Sequence, residues 1–266
     1  MLGLALRVYV EVELTPAPRL IVRSEGQGAD LPQDESHLAA VVVRSVLGRD
    51  DVAITVRSSI PVSRGLGSSA ALAVAAAAAA GAPDPFLVGA STDGHPENAA
   101  ASVLGGLVAA TTVGERAVAR RLPLDHRLGF VVIVPERQLE TSLCRSVLPT
   151  MIPLADAVHN LGRMGLLIAG LGDADLLLPA AGDDRLHQMP RTVLFPEAPA
   201  LLDRLRRAGA TMACWSGAGP TLLAICADAG AVAGVEAAAV GAMAELGVEG
   251  SAMVIEPDLD GLVVTE

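Results

Sequence analysis

The sequence contains no lysine: all 19 of its basic residues are arginine, set against 30 aspartates and glutamates, so its 266 residues carry a formal charge of −11. That absence removes Schiff-base chemistry, a pyridoxal phosphate anchor and the Walker A loop, whose lysine reaches the β- and γ-phosphates. Any phosphate bound here is held by backbone amides and arginines. Net acidity, with no run of five basic residues, argues against non-specific nucleic-acid binding, which draws its affinity from Lys and Arg on backbone phosphates. The five histidines (His37, His95, His126, His159, His187) and three cysteines (Cys144, Cys214, Cys226) form no C-x-x-C or H-x-x-x-H pair, so no zinc site is expected. An odd number of dispersed cysteines suits a reducing cytoplasm.

Long apolar runs are lacking too. The alanine tract Ala70 to Ala82 is about 13 residues against roughly 20 for a bilayer span, and Arg7 and Glu11 interrupt the apolar N-terminal stretch before a signal-peptide core is complete.

What the sequence does have is 52% hydrophobic residues, enough for one large core or two smaller ones. Val8, Val10, Val12 and Leu14 alternate with Tyr9, Glu11 and Glu13 as a half-buried strand, and Arg19 to Arg23 is expected to pair back on it. Helical patterns follow at Ser36–Leu47, Ser68–Ala80 and Pro96–Leu104, with a strand at Val52–Arg57 and a hairpin of Leu107–Thr112 with Ala117–Leu122. A proline-bearing break at Pro123 to Arg127 suggests two domains, residues 1–126 and 127–266. The second begins with the apolar strand Leu128–Val134, continues with helices near Gln138–Leu148, Pro153–Leu171 and Ala198–Ala208, and then strands Thr211–Trp215 and Thr221–Cys226. An alanine-rich helix and strands Ala252–Ile255 and Leu262–Thr265 close it. The mixed order predicts α+β layers.

The stretch Pro61-Val62-Ser63-Arg64-Gly65-Leu66-Gly67-Ser68-Ser69-Ala70-Ala71 leads into a helix. Its glycines let backbone approach a ligand, and the first amides of a helix point outward with the positive end of the dipole, which suits phosphate. Ser68 and Ser69 add hydroxyls that can meet a phosphate oxygen or Mg²⁺. The same residues also read as a glycine turn with a serine cap.

The run P-x-x-x-G-L-G-S-S-A-A resembles the ATP-binding motif of the GHMP kinases, and Ser216-Gly217-Ala218-Gly219-Pro220-Thr221 resembles that family's C-terminal glycine motif. Within the family, Gly94-His95-Pro96-Glu97-Asn98-Ala99-Ala100 with Leu104-Gly105-Gly106 is similar to the homoserine kinase segment G-H-P-D-N-x-A…L-G-G. Thr141-x-x-x-Arg145 with Leu148-Pro149, Ala155-Asp156-Ala157-Val158-x-Asn160 and Asp184-Arg185-Leu186-His187-Gln188-x-Pro190-Arg191 match further segments of that branch, so the likeness spans nearly the whole chain.

The resemblance implies a two-domain GHMP kinase fold of α+β class, with a left-handed β-α-β unit in the N-terminal ATP-binding domain and a ferredoxin-like C-terminal domain. It implies an ATP- and Mg²⁺-dependent transfer of phosphate to the side-chain hydroxyl of L-homoserine, giving O-phospho-L-homoserine for threonine biosynthesis. Pro61 and Arg64 to Ala71 would bind ATP, and Ser69 and Asp93 would bind the metal. Asp93 stands where the family usually has Glu, and it also reads as a turn residue in Ser91-Thr92-Asp93-Gly94. His95, Asn98, Thr141, Arg145, Arg191, Gly217 and Gly219 would meet the substrate, with Arg145 and Arg191 the catalytic charges. Arginine suits that task through its planar fork. His37 stands where many relatives carry Asn near the adenine.

The family opens with a strand and loop of pattern P-A-x-x-A-N-L-G-x-G-F-D. This sequence starts at Met1-Leu2-Gly3-Leu4-Ala5-Leu6, just past it, so the expectation is either a start lying upstream or a chain lacking part of the substrate site. A cytoplasmic homodimer acting on a small molecule, with no nucleic acid and no membrane, is the expected setting. Two alternatives stay open: a GHMP kinase for another small alcohol, such as a mevalonate-pathway intermediate, and an inactive nucleotide-binding remnant without the N-terminal loop. His95 to Asn98 and the pair Thr141/Arg145 argue against the first.

Overall fold

The computed structural model describes residues 1–265. The chain divides into two compact units, one of Met1–Val62, Gly67–Leu122 and the tail from Pro257, the other of Ser63–Leu66 and Pro123–Glu256.

In chain order the first unit holds β1 (Leu2–Leu4), β2 (Val10–Pro16), β3 (Ile21–Gly26), α1 (Leu38–Leu47), β4 (Val52–Ser58), α2 (Ser68–Ala79), α3 (Pro85–Asp93), α4 (Pro96–Leu104), β5 (Leu107–Val113) and β6 (Arg116–Leu122). They form two three-stranded sheets, β2-β4-β3 and β1-β5-β6. β4 takes the centre of the first because its alternate residues Val52, Ile54 and Val56 are its most apolar face, and all three are buried. The segment after Arg19 does not pair back on β2 as the sequence suggested. β3 lies parallel to β4, Ile21 opposite Ala53, with α1 as the crossover. Pro16 and Pro18 supply no amide for a hairpin ladder, and β2 spends its own on β4, Val10 opposite Ser58. The N-terminal apolar stretch is two strands rather than one, broken at Leu6 to Val8, and β1 joins β5.

α2 is mostly alanine, eight of its 12 residues, and small side chains let other helices come close. At Gly89 of α3 a Cβ would lie 2.6 Å from Val74 Cγ2 of α2 and 3.2 Å from Ala99 Cβ of α4, so the three helices pack through that bare position. α3 was not anticipated from sequence. Asp84 caps it by accepting from Leu87 N at 3.1 Å, Pro85 opens its first turn, and Gly94 in the left-handed region ends it. The expected last strand, Leu262–Thr265, is not a strand. Gly261 turns with φ +75°, the Asp258 carboxylate accepts from its amide at 2.9 Å, and Leu262 N donates to Val103 O at 3.2 Å, so the tail is tied as a loop to the end of α4.

The second unit holds β7 (Gly129–Pro135), α5 (Thr141–Ser146), α6 (Leu154–Gly172), α7 (Gln188–Arg191), α8 (Ala198–Arg207), β8 (Met212–Trp215), β9 (Leu222–Cys226), α9 (Val232–Leu246) and β10 (Gly250–Ile255). Its sheet is antiparallel throughout, in the order β10-β7-β9-β8. Strands, in sequence, thus stand fourth, first, third, second, the ferredoxin-like arrangement of a β-α-β-β-α-β chain. β7 is buried at every position, and its face packs with Leu201, Leu205, Val235 and Ala239 from α8 and α9. One helical stretch among the described residues, Ala229–Leu246, is long and apolar enough to cross a membrane; here Val235, Ala239, Ala242 and Met243 of that stretch lie in this core. The break at Pro123 to Arg127 is an ordered knot: Asp125 accepts from the Arg127 guanidinium at 2.7 Å and from Ala174 N at 2.8 Å.

Candidate functional site

In the first unit α2 begins with Gly67 in the left-handed region, φ +71°, and no side chain caps its first turn. The leading amides are therefore unclaimed by a cap, next to the hydroxyl of an exposed Ser69. Asn98 of α4 lies beside Gly67, its Cγ 3.5 Å from where a Cβ would stand. α4 itself starts with Pro96 behind His95, and this places His95, Glu97 and Asn98 on its first turn.

Glu97 is buried, with Oε1 3.3 Å from His95 Nδ1 and Oε2 without any hydrogen-bond partner. A carboxylate oxygen buried in that way is costly unless a donor arrives. Sequence reasoning passed over Glu97; the available signal was an acidic residue inside a helix start already marked by His95 and Asn98. Asp93 is half-buried at the last position of α3, where the negative end of the helix dipole disfavours a carboxylate and a bound cation would relieve it. Ser69 and Asp93 offer the oxygen donors that Mg²⁺ takes. Among the described residues no three His, Cys, Asp or Glu side chains group into a metal cage.

His37 occupies the N-cap of α1 rather than an open position. Its Nδ1 accepts from Ala39 N at 3.2 Å while Nε2 lies 3.2 Å from Ser24 Oγ. The imidazole does what an Asn side chain does at an N-cap. Burial pushes its pKa below the usual histidine value, partly opposed by the charge of Asp34.

The loop residues Ser63 to Leu66 belong to the second unit, and they are locked there. Ser216 Oγ donates to Gly65 O at 2.9 Å, Thr221 N to Arg64 O at 3.2 Å, and Leu139 N to Ser63 O at 3.0 Å. A Cβ on Gly65 would sit 2.7 Å from Gly219 N, so the two glycine motifs meet backbone to backbone and neither tolerates a side chain there. Arg64, expected on phosphate, spends its guanidinium on backbone carbonyls: Nε donates to Pro135 O and Nη2 to Glu136 O, each at 2.8 Å. It works as a tie for the loop.

Arg191 is 8% exposed. Its Nη1 donates to Gly217 O at 2.9 Å and faces His187 Nδ1 at 3.3 Å, while Nε has no partner. Behind it stands a built support. Asp184 accepts from Asn160 Nδ2 at 2.6 Å and from the amides of His187 and Gln188 at 2.7 Å each. Burial pushes the Asp184 carboxyl upward, but the Gln188 amide, the His187 charge, the His187 amide and Asn160 together hold it below its ordinary value. Burial also lowers His187, with Asp184 opposing and Arg191 assisting. Cys144, under the same arginine, is raised by burial. Thr141 and Arg145 stand one turn apart on α5, both exposed, and the charge of Arg145 is felt at Arg191.

Two family models match the chain: GHMP kinases N terminal domain over residues 36–83 and GHMP kinases C terminal over residues 157–245. A homoserine kinase of Moorella thermoacetica is 37% identical over 241 residues, 85% of this chain and 81% of the relative. One from Thermus thermophilus is 38% identical over 270 residues, 96% of this chain and 89% of the relative. Among solved structures, a homoserine kinase from Cytophaga hutchinsonii superposes with a TM-score of 0.85 at 25% identity, covering 98% of this chain and 90% of that one. The mevalonate kinase of L. major shares the fold at a TM-score of 0.69 and 16% identity, covering 98% of this chain and 89% of that one.

Proposed function

The chain belongs to the GHMP kinase family, and from that premise we propose how it works as a homoserine kinase, an ATP-dependent phosphotransferase that converts L-homoserine to O-phospho-L-homoserine on the way to threonine. The observation that carries the site assignment is the uncapped start of α2 behind left-handed Gly67, with Ser68 and Ser69 at its head. Those amides bind phosphate oxygens of ATP, and the backbone at Gly67, without a side chain, lets the triphosphate approach, while Gly65 is seated against Gly219. Pro61 and Val62 lead into that loop and Arg64 fixes it. Ser69 and Asp93 would hold Mg²⁺, which would neutralise charge on the phosphate oxygens.

The amino acid is read by groups that match its own charges. The orphaned Glu97 Oε2 accepts from the substrate ammonium, and His95 and Asn98 flank it. Thr141 and Arg145 take the carboxylate, with Arg191 and the Gly217–Gly219 turn that it fastens adding fixed donors. Phosphoryl transfer asks a protein chiefly for positioning and charge stabilisation, and arginines with helix amides supply both without lysine. Mevalonate lacks an ammonium group, and the unpaired Glu97 therefore favours homoserine over it. The enzyme is read as cytoplasmic and homodimeric.

A coupled ADP-release assay on the full chain tests this with L-homoserine, mevalonate and no acceptor. Turnover is expected with homoserine, and turnover with mevalonate alone would overturn the substrate assignment. Ser69→Ala should lower kcat roughly 100-fold, the scale of a lost electrostatic stabiliser; an unchanged kcat would remove Ser69 from the metal site.

A further inference from the structure

His187 stands at the head of α7 but does not cap it. An N-cap side chain normally accepts from the first amides of its helix, and the imidazole makes no such bond. Asp184 has taken that duty: its Oδ2 accepts from the amides of both His187 and Gln188. The ring is turned instead between two charged groups. Nε2 lies 3.4 Å from Asp184 Oδ1, and Nδ1 lies 3.3 Å from Arg191 Nη1.

That placement selects the tautomer. A carboxylate only accepts and a guanidinium only donates, so the ring proton belongs on Nε2, facing Asp184, and the lone pair on Nδ1, facing Arg191. Asp184 is not free to turn away, because Asn160 of α6 holds Oδ1 at 2.6 Å while the two amides hold Oδ2. It also stays ionised, its carboxyl held below the ordinary carboxylate value.

The hydrogens of Arg191 show what the ring accomplishes. Nη1 has two, one spent on Gly217 O at 2.9 Å and the other on His187 Nδ1. With both taken the guanidinium is fixed in its plane, and the edge left over is Nε–H, buried without a partner, together with Nη2. Those two groups form the side of the fork that meets two oxygens of one carboxylate or phosphate.

Resting on the homoserine kinase reading of the site, we propose that His187 is a positioning residue for the transfer. As a neutral Nε2–H imidazole braced by Asp184, it holds Arg191 with the Nε–Nη2 edge presented to the anionic group of the substrate, and its protonation releases that edge. An imidazolium has no lone pair for Nη1 and sets a second cation beside the guanidinium. The brace therefore holds above the pKa of His187 and fails below it. Burial, assisted by Arg191 and opposed by Asp184, puts that pKa under the ordinary 6.5. Around the ring, Cys144 of α5 and Cys214 of β8 are both pushed upward by burial and stay thiols. Arg145 of α5 and Arg163 of α6 add fixed charge, as arginine does in proteins. His159 of α6 is turned to Asp183, 3.2 Å away.

Two measurements on the full chain test the brace. In proton–nitrogen correlation spectra of the protein without substrate, the ring signals that vanish in His187→Asn should show a neutral Nε2–H tautomer. The Nδ1–H form would overturn the proposal whatever the substrate is. In the coupled assay at about pH 7.5, His187→Leu should raise KM for homoserine roughly 10- to 100-fold with circular dichroism unchanged, the scale of a lost hydrogen bond to a charged group. His187→Asn puts an acceptor where Nδ1 stands and has no ring to titrate, so it should recover most of that loss. The ratio of kcat/KM, wild type over His187→Asn, cancels the titration of the substrates and of every other residue, and it should fall as the pH drops from about 7.5 to about 5. A ratio flat with pH, or an unchanged KM in His187→Leu, would also overturn the assignment. Absence of turnover with homoserine would sink the substrate reading instead, and the tautomer would still decide the brace.

Discussion

A buried histidine at a helix start makes the first unit sensitive to mild acid. His37 Nδ1 can accept from Ala39 N only while it is unprotonated, and burial holds its pKa below the ordinary histidine value of 6.5. The unfolded chain takes up that proton near pH 6.5, the folded chain only at lower pH, so stability present at neutral pH is lost as the pH falls below about 6.5. His187 is shifted in the same direction and adds to the slope. Replacing His37 with Asn keeps a capping oxygen and removes one titrating group. Melting temperatures measured from pH 8 to pH 5 should therefore fall less steeply for His37→Asn than for the wild type; parallel curves would show that the cap is not what titrates. At this scale the sequence told much about chemistry and little about partners. Ser68, Ser69, His95 and Asn98 are recognisable from their motifs. The occupation of Arg64 by the carbonyls of Pro135 and Glu136 depends on backbone about seventy residues away, and no local pattern announces it.

Elements bring these residues together through bare contacts rather than large side chains. Gly89 is the point at which α3 comes against Val74 of α2 and Ala99 of α4, and it is these helices that carry Asp93, Ser69 and Asn98. Gly89→Val would have to push α3 outward, an overpacking that costs typically 1–3 kcal/mol. Lower thermal stability together with weaker ATP binding by calorimetry is the expected result; normal affinity in the folded variant would mean that α3 does not set the site. Helical patterning marked α1, and a run of strong helix formers marked α2 and the alanine-rich α9. α3 escaped because Ser91-Thr92-Asp93 reads as a turn, although Asp84-Pro85 and Gly94 bracket it with proper start and stop signals. The pairing of β3 was illegible for a different reason: the competitor for β2, strand β4, lies some thirty residues further on, and pairing is decided by which strand offers the most apolar face.

On the scale of the whole molecule, the chain visits its first unit, leaves at Pro123 and comes back at Pro257. The returning tail is bonded, with Asp258 N donating to Ala5 O at 3.0 Å, Gly106 N to Asp258 O at 2.6 Å, and Leu6 bridging to Pro257. Ending the chain at Glu256 should lower the melting temperature and raise hydrogen exchange around β1 and β5, while amides of β7 and β9 keep their protection. Equal exchange in the two forms would show the tail to be dispensable. The two-domain plan was readable from the break at Pro123 to Arg127, and the ferredoxin-like order only through the family likeness that the motifs carry. The return of the tail was not, since Leu262 to Thr265 has the apolar pattern of a strand and only Asp258 and Gly261 divert it.

The strap at Asp258 also sets a timetable. A ribosome releases the strands of the first unit early, at about 5–20 residues per second, but the residues that tie Ala5 and Gly106 down are made after the entire second unit. Until then the N-terminal sheet β1-β5-β6 lacks its fastening, and a chain interrupted within the second unit cannot close it. Completion of the first unit thereby doubles as a check that the second has been made.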